Sequence, residues 1–148
     1  MSSKNILKLM KDKEIEFVDF RFTDPRGKLQ HLTMDATIVD DEMLEEGVFF
    51  DGSSIAGWKA INESDMILKP DLARPIVDPF NSHNTLNIFC DILDAVKKES
   101  YERDPRGTAK KAENYLKKSG VGDKAYFGPE PEFFTFDDVR FENKMNSS

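Results

Sequence analysis

Apolar residues recur first with the spacing of a helix and then, up to about residue 100, mostly with that of strands. Over residues 3–13, Ile6, Leu7 and Met10 share one face behind Ser2 and Ser3, either of which can cap the N-terminus, so a short docked helix is expected. Val18, Phe20 and Phe22 then alternate with Asp19, Arg21 and Thr23, the period of a half-buried strand. Asp24-Pro25-Arg26-Gly27 reads as a turn and residues 28–34 as the returning strand, which together predict a hairpin. A brief helix over 41–46 ends at Gly47. Strands are expected over 66–69, 75–77 and 85–93, and the apolar run TLNIFCDIL suits a buried position.

The texture changes at Tyr101. Asp104 is placed to cap a helix with Pro105 at its first position, Ala109, Ala112 and Leu116 on one face, lysines in its last turn and Gly120 at its stop. YFGPEPEFFTFDD, residues 126–138, reads as a strand after it. A helix-then-strand unit thus succeeds the strand-rich region, and a domain boundary is expected near Tyr101, in a chain of α+β class.

Composition narrows the function classes. With 28 acidic against 21 basic residues, a net charge of -7 and a pI near 4.9, the surface repels nucleic acid and anionic lipid, so neither is an expected partner. Cys90 is the single cysteine, which excludes an internal disulfide, and with His31 and His83 it leaves no zinc site unless carboxylates join. No run has the length of a membrane span, and MSSKNILKLMKDKE lacks the apolar core and cleavage site of a signal peptide, so a cytoplasmic location is expected.

Two segments carry candidate chemistry. In an extended strand Glu130 and Glu132 project to the same face, with alpha carbons about 6–7 Å apart. Two carboxylates pressed against aromatic residues need a cation, protons or hydrogen-bonded partners, and oxygen donors without cysteine favour Mg²⁺ or Mn²⁺. The alternative is a polar outer face on an edge strand. The second segment is FFDGSSIAGWKAINESDM, residues 49–66, a polar loop that offers Asp51, Ser53, Ser54 and the chain's one tryptophan, Trp58. It is either an exposed loop aimed at a partner or substrate, or an ordinary turn with Trp58 packed on the local core. His31 on a strand face and Cys90 in an apolar run read as structural.

Taken together, FVDFRFTDPRGKLQH, FFDGSSIAGWKAINESDM, the DPRG that opens the later helix and FGPEPEFF resemble the N-terminal part of bacterial-type (class I) glutamine synthetase, from about residue 14 to about residue 141. The resemblance implies a β-grasp domain over 1–103 and the first helix and strand of the catalytic domain over 104–148. It implies a ligase of glutamine biosynthesis and nitrogen metabolism: ATP phosphorylates the side-chain carboxylate of glutamate, and ammonia displaces phosphate to give glutamine. By the motif FGPEPEFF, Glu130 and Glu132 match metal ligands, one on each of two divalent sites. By DGSSIAGW, Asp51 matches the acid that helps form the ammonium site and takes a proton from it, and Ser54 and Trp58 belong to the same loop, which reaches into the active site of an adjacent subunit. A homo-oligomer, a dodecamer of two stacked rings, is implied by the same likeness.

Two departures bear on the expectation. Ala56 and Ala60 stand where the family often has glycine, which would strain the loop if either position needs positive φ. The sequence also stops at Ser148, so the remaining metal ligands and the nucleotide and glutamate contacts are absent, and the chain alone is expected not to catalyse. The competing reading is a stand-alone acidic β-grasp interaction module without catalysis. A metal-dependent phosphoesterase built on Glu130 and Glu132 lacks an accompanying histidine or aspartate cluster.

Overall fold

The computed structural model describes residues 1–57 and 64–143. Helix α1, Ser3–Asp12, starts where Ser2 accepts a hydrogen bond from the Asn5 amide and buries Ile6 and Met10 in the core. Strands β1, Phe17–Thr23, and β2, Leu29–Asp35, form the expected hairpin, in antiparallel register from Phe17 opposite Asp35 to Thr23 opposite Leu29. Its turn is organised by Asp24, whose Oδ1 accepts from the amides of Arg26 and Lys28, both at 2.9 Å, and whose Oδ2 accepts from Gln30 Nε2 at 3.0 Å. Helix α2, Asp41–Glu46, is capped by Asp40 and ends at Gly47, which has a φ of 98°. A side chain there would also meet the Leu68 carbonyl at 2.6 Å, so only glycine fits.

Four further strands complete the sheet: β3, Val48–Asp51; β4, Asp65–Pro70; β5, Ile76–Val77; and β6, Thr85–Asp94. The order is β2-β1-β6-β4-β3, with β5 also on β6. The β1 and β6 strands run parallel, from Phe17 opposite Thr85 to Arg21 opposite Phe89, and the other pairings are antiparallel. Alternate residues of the central strands face one core: Val18, Phe20, Leu68, Leu86, Ile88 and Ile92 are fully buried. Each such side chain contributes about 1.5–3 kcal/mol by leaving water. Among the described residues no helix is long and apolar enough to cross a membrane.

Three differences from the sequence reading have physical causes. The strand Val48–Asp51 takes in residues 49–51, where a loop was expected, because Val48 and Phe50 turn toward the core and the Phe50 ring packs on Phe22, with centroids 5.3 Å apart. Asp19, on the face expected to be polar and open, is 4% exposed. The strand expected over 126–138 is absent: residues 121–143 form no helix or strand, and Tyr126, Phe127, Phe133 and Phe134 are each at least 84% exposed. Among the described residues no strand lies beside this stretch, and an extended backbone becomes a strand only when a neighbour takes its N–H and C=O groups.

Helix α3, Pro105–Ser119, has the expected cap, Asp104, and the expected left-handed stop, Gly120. It joins the sheet through polar contacts. Asp104 is 1% exposed, and it accepts from the Ile92 amide of β6 and from the Arg106 amide. Burial pushes its carboxyl up while these amides oppose the shift. Arg106 pairs with Asp91 at 2.9 Å and with Asp71, and Lys110 pairs with Asp91. The helix's Ala109, Ala112 and Leu116 line a groove of about 940 Å³ with Val121, Tyr126 and Phe127.

The Asp19 network gives a pH dependence. Burial pushes this carboxyl up, but hydrogen bonds from Arg21 at 2.7 Å, Thr33 at 2.7 Å and His31 at 2.7 Å outweigh it and hold it below the usual carboxylate range. A depressed folded value means the stabilisation is present above the unfolded value of about 3.9 and is lost as pH falls through the folded one. Asp19→Asn is therefore expected to cost about 1–3 kcal/mol near neutral pH. Urea titrations monitored by circular dichroism should show the gap between variant and parent shrinking at about pH 3; a gap of equal size at both pH values would refute the electrostatic account.

Candidate functional site

Asp51 is the last residue of β3, the outer strand of the sheet, opposite Asp65 on β4. The chain then enters a single 3-10 turn, Gly52–Ser54. Gly52 is buried; its amide donates to the Ser64 carbonyl at 2.7 Å, and a Cβ there would lie 2.2 Å from Met66 Sδ. The turn is thus clamped against β4. Asp51 is exposed, and its Oδ1 accepts from the Ser53 amide at 2.8 Å and the Ser53 hydroxyl at 2.6 Å. The Ser53 hydroxyl first, then the Ser53 amide and the Ser64 hydroxyl, lower the Asp51 carboxyl below its ordinary value, against a smaller opposing effect of burial. The acid is therefore anionic at neutral pH, in a fixed place at a sheet edge.

Residues 55–57, which follow the turn, are anchored as well. Ile55 packs against the core, Ser54 is exposed, and the Gly57 carbonyl accepts from Arg103 Nη1 at 2.7 Å, which ties the loop to the approach to α3. Ala56 is not among the residues with positive φ, whereas Gly57 is, at 88°, so the alanine carries no strain of that kind. Trp58 and Ala60 lie outside the described residues.

Glu130 and Glu132 lie on the exposed stretch after α3, and the shared strand face expected for them is not formed because the strand is not. The local alternation persists in part, since the Phe134 and Phe136 rings meet with centroids 6.3 Å apart. Among the described residues no group of three or more His, Cys, Asp or Glu side chains gathers as a metal site. Two exposed carboxylates one residue apart are nonetheless hard oxygen donors of the kind that Mg²⁺ and Mn²⁺ take.

Cys90 is 1% exposed, and burial pushes its thiol well up, which keeps it protonated and unreactive. His31 makes its bond to Asp19 from the sheet surface. The sequence reading missed the partners of Asp51: Ser53 was visible only as part of a polar loop, although an aspartate at the start of a turn commonly accepts from the amide two residues on.

Comparison with known proteins bears on this arrangement. The family model described as the glutamine synthetase β-grasp domain matches residues 14–95, and that of the glutamine synthetase catalytic domain matches residues 102–148. Glutamine synthetase of Rhizobium meliloti (strain 1021) is 60% identical over 141 residues, covering 95% of this chain and 30% of that protein. The glutamine synthetase of Escherichia coli (strain K12) is 52% identical over 148 residues, 100% of this chain and 32% of that one. A cryo-EM structure of Plasmodium falciparum glutamine synthetase superimposes with a TM-score of 0.72 at 27% identity, over 81% of this chain and 23% of that one. The chain spans about 30% of the length of the curated relatives it matches. With one family model covering the sheet and a second covering α3 and the residues after it, the chain belongs to the glutamine synthetase family.

Proposed function

We propose that this chain forms the N-terminal third of an ATP-dependent glutamate–ammonia ligase, with residues 1–103 as a β-grasp domain and residues 104–148 as the start of the catalytic domain. The reaction is phosphoryl transfer from ATP to the side-chain carboxylate of glutamate, then displacement of phosphate by ammonia to give glutamine and release ADP and phosphate. The observation that carries the reading is the pinned anionic carboxylate of Asp51 at the outer edge of the sheet, inside the motif DGSSIAGW. A stand-alone β-grasp module is not favoured, because it leaves the match over residues 102–148 without a role.

Asp51 acts on ammonium in two ways. Its charge attracts and orients the cation, and it accepts the proton that ammonium must lose before nitrogen can attack. Because hydrogen bonds hold its proton affinity low, binding of the cation is the larger contribution, and proton loss is drawn forward by attack on the acyl phosphate. Ser54 and Trp58 lie on the same loop, and in this reading they meet an adjacent subunit of a homo-oligomer, a dodecamer, so that each active site is completed by a neighbour's loop. The clamp of Gly52 against Met66 and the Arg103 bond to Gly57 hold residues 52–57 in shape.

Glu130 and Glu132 would hold divalent ions, Mg²⁺ or Mn²⁺, together with ligands from beyond these residues. Such ions would supply positive charge to offset that of the transferred phosphoryl group. The site works where the protein functions in solution, and the cytoplasm is the compartment that supplies ATP, glutamate and ammonium together.

Two measurements on the full-length enzyme test the reading. Asp51→Asn should lower kcat/KM for ammonium by about two orders of magnitude, within the range for a lost general base, while thermal unfolding stays near that of the parent; normal turnover at limiting ammonium would remove Asp51 from the site. Glu130→Gln and Glu132→Gln should each raise the divalent-ion concentration needed for half-maximal activity by at least about tenfold. An unchanged metal requirement in isothermal titration and in steady-state assays would exclude them as ligands.

A further inference from the structure

We propose that Ser53 is a positioning residue for Asp51, holding its carboxylate in one orientation so that the oxygen turned away from Ser53 meets the incoming ammonium ion. The proposal deepens the reading of Asp51 given above and rests on it.

The backbone on both sides of Asp51 is fixed. Before it, β3 is paired with β4 up to the Asp51–Asp65 position; after it, buried Gly52 donates to Ser64 and has no room for a side chain beside Met66. The carboxylate itself is exposed, and an exposed aspartate left to itself samples several rotamers. Ser53 prevents this by placing two donors, its amide at 2.8 Å and its hydroxyl at 2.6 Å, on the same oxygen, Oδ1. Two bonds to one oxygen restrict both side-chain torsions, so the second oxygen projects in a fixed direction at the sheet edge. A small spherical cation offers no shape for the protein to grip, and its recognition depends on anionic oxygens set in place beforehand.

The same bonds favour the charged form, with the Ser53 hydroxyl as the largest cause and the Ser64 hydroxyl adding to it. The charged group opposite Asp51 on the paired strand is Asp65. Ser53 therefore does two things for a cation: it aims the anion and favours its charged form. Ser54, the family's neighbouring serine, is exposed and belongs to the loop's outward surface.

The test separates this role from that of Asp51. In this chain, carbon-detected NMR of the Asp51 carboxyl across the acid range should show a midpoint below the ordinary carboxylate value, moving up in Ser53→Ala and returning in Ser53→Thr, which keeps the hydroxyl. In the full-length enzyme, Ser53→Ala should lower kcat/KM for ammonium by roughly 2- to 10-fold, the span open to one solvent-facing hydrogen bond, mainly through KM, with Ser53→Thr restoring it. If Ser53→Ala leaves either the Asp51 midpoint or ammonium use unchanged while Asp51→Asn is impaired, Ser53 has no positioning role and the reading of Asp51 stands. If Asp51→Asn itself uses ammonium normally, the reading fails and takes this proposal with it.

Discussion

The parallel pairing of β1 with β6 sets the rest of the molecule. It brings Phe17 opposite Thr85, two positions far apart in the chain, and the entropy of closing that loop must be recovered from burial. Val18 and Phe20 on one strand and Leu86 and Ile88 on the other supply it, all without exposure to solvent. Once β6 holds β1 along one edge, its other edge takes β5 and then β4, and β4 in turn takes β3. The strand that ends in Asp51 is thereby placed at the sheet's outer margin, where among the described residues one side of its backbone has no strand neighbour. A residue offered to another molecule needs such a margin.

Acids are used here chiefly as acceptors for the chain's own amides. Asp24, Asp35, Asp40, Asp51, Asp78 and Asp104 each accept from a backbone N–H two or three positions onward, so much of the acidic excess is committed to turns and helix starts. What differs between them is access to water. Asp104 is sealed between α3 and β6, where its carboxyl is pushed up, and Asp19 is sealed but surrounded by Arg21, Thr33 and His31, which push it down. Asp51 takes both Ser53 donors on one oxygen and is itself exposed to solvent. Of these three, only Asp51 combines a persistent charge with an open approach.

The region after the sheet is held by charge and left apolar. Arg106 and Lys110 fix α3 to Asp91, and Asp104 fixes its first turn to β6, while the helix's Ala109, Ala112 and Leu116 face a groove. Beyond it, Phe133, Phe134, Phe136 and Phe141 are largely exposed, a density of aromatic surface that soluble domains bury when they have something to bury it against. Under the proposed reading that surface packs against the rest of the catalytic domain, and the same packing would supply the strand neighbours that set Glu130 and Glu132 on one face.

Periodicity and punctuation carried the local structure. The caps at Ser2 and Asp104, the stops at Gly47 and Gly120, the Asp24 turn, the alternation along β1 and the apolar run of β6 are all patterns within a few residues, so the chain spells them out and they form where they are spelled. The motifs around Asp51 and Glu130 were legible for the same reason: they are contiguous. Burial of Asp19, the short strand before Asp51 and the absence of a strand at 126–138 were not, because each depends on what lies beside the segment in space. Sequence by itself determined where turns, helices and candidate acids fall. Only the tertiary structure decided which strands meet, which acid keeps its contact with water and which extended segment becomes a strand, since hydrogen-bond ladders and desolvation are properties of neighbours distant along the chain.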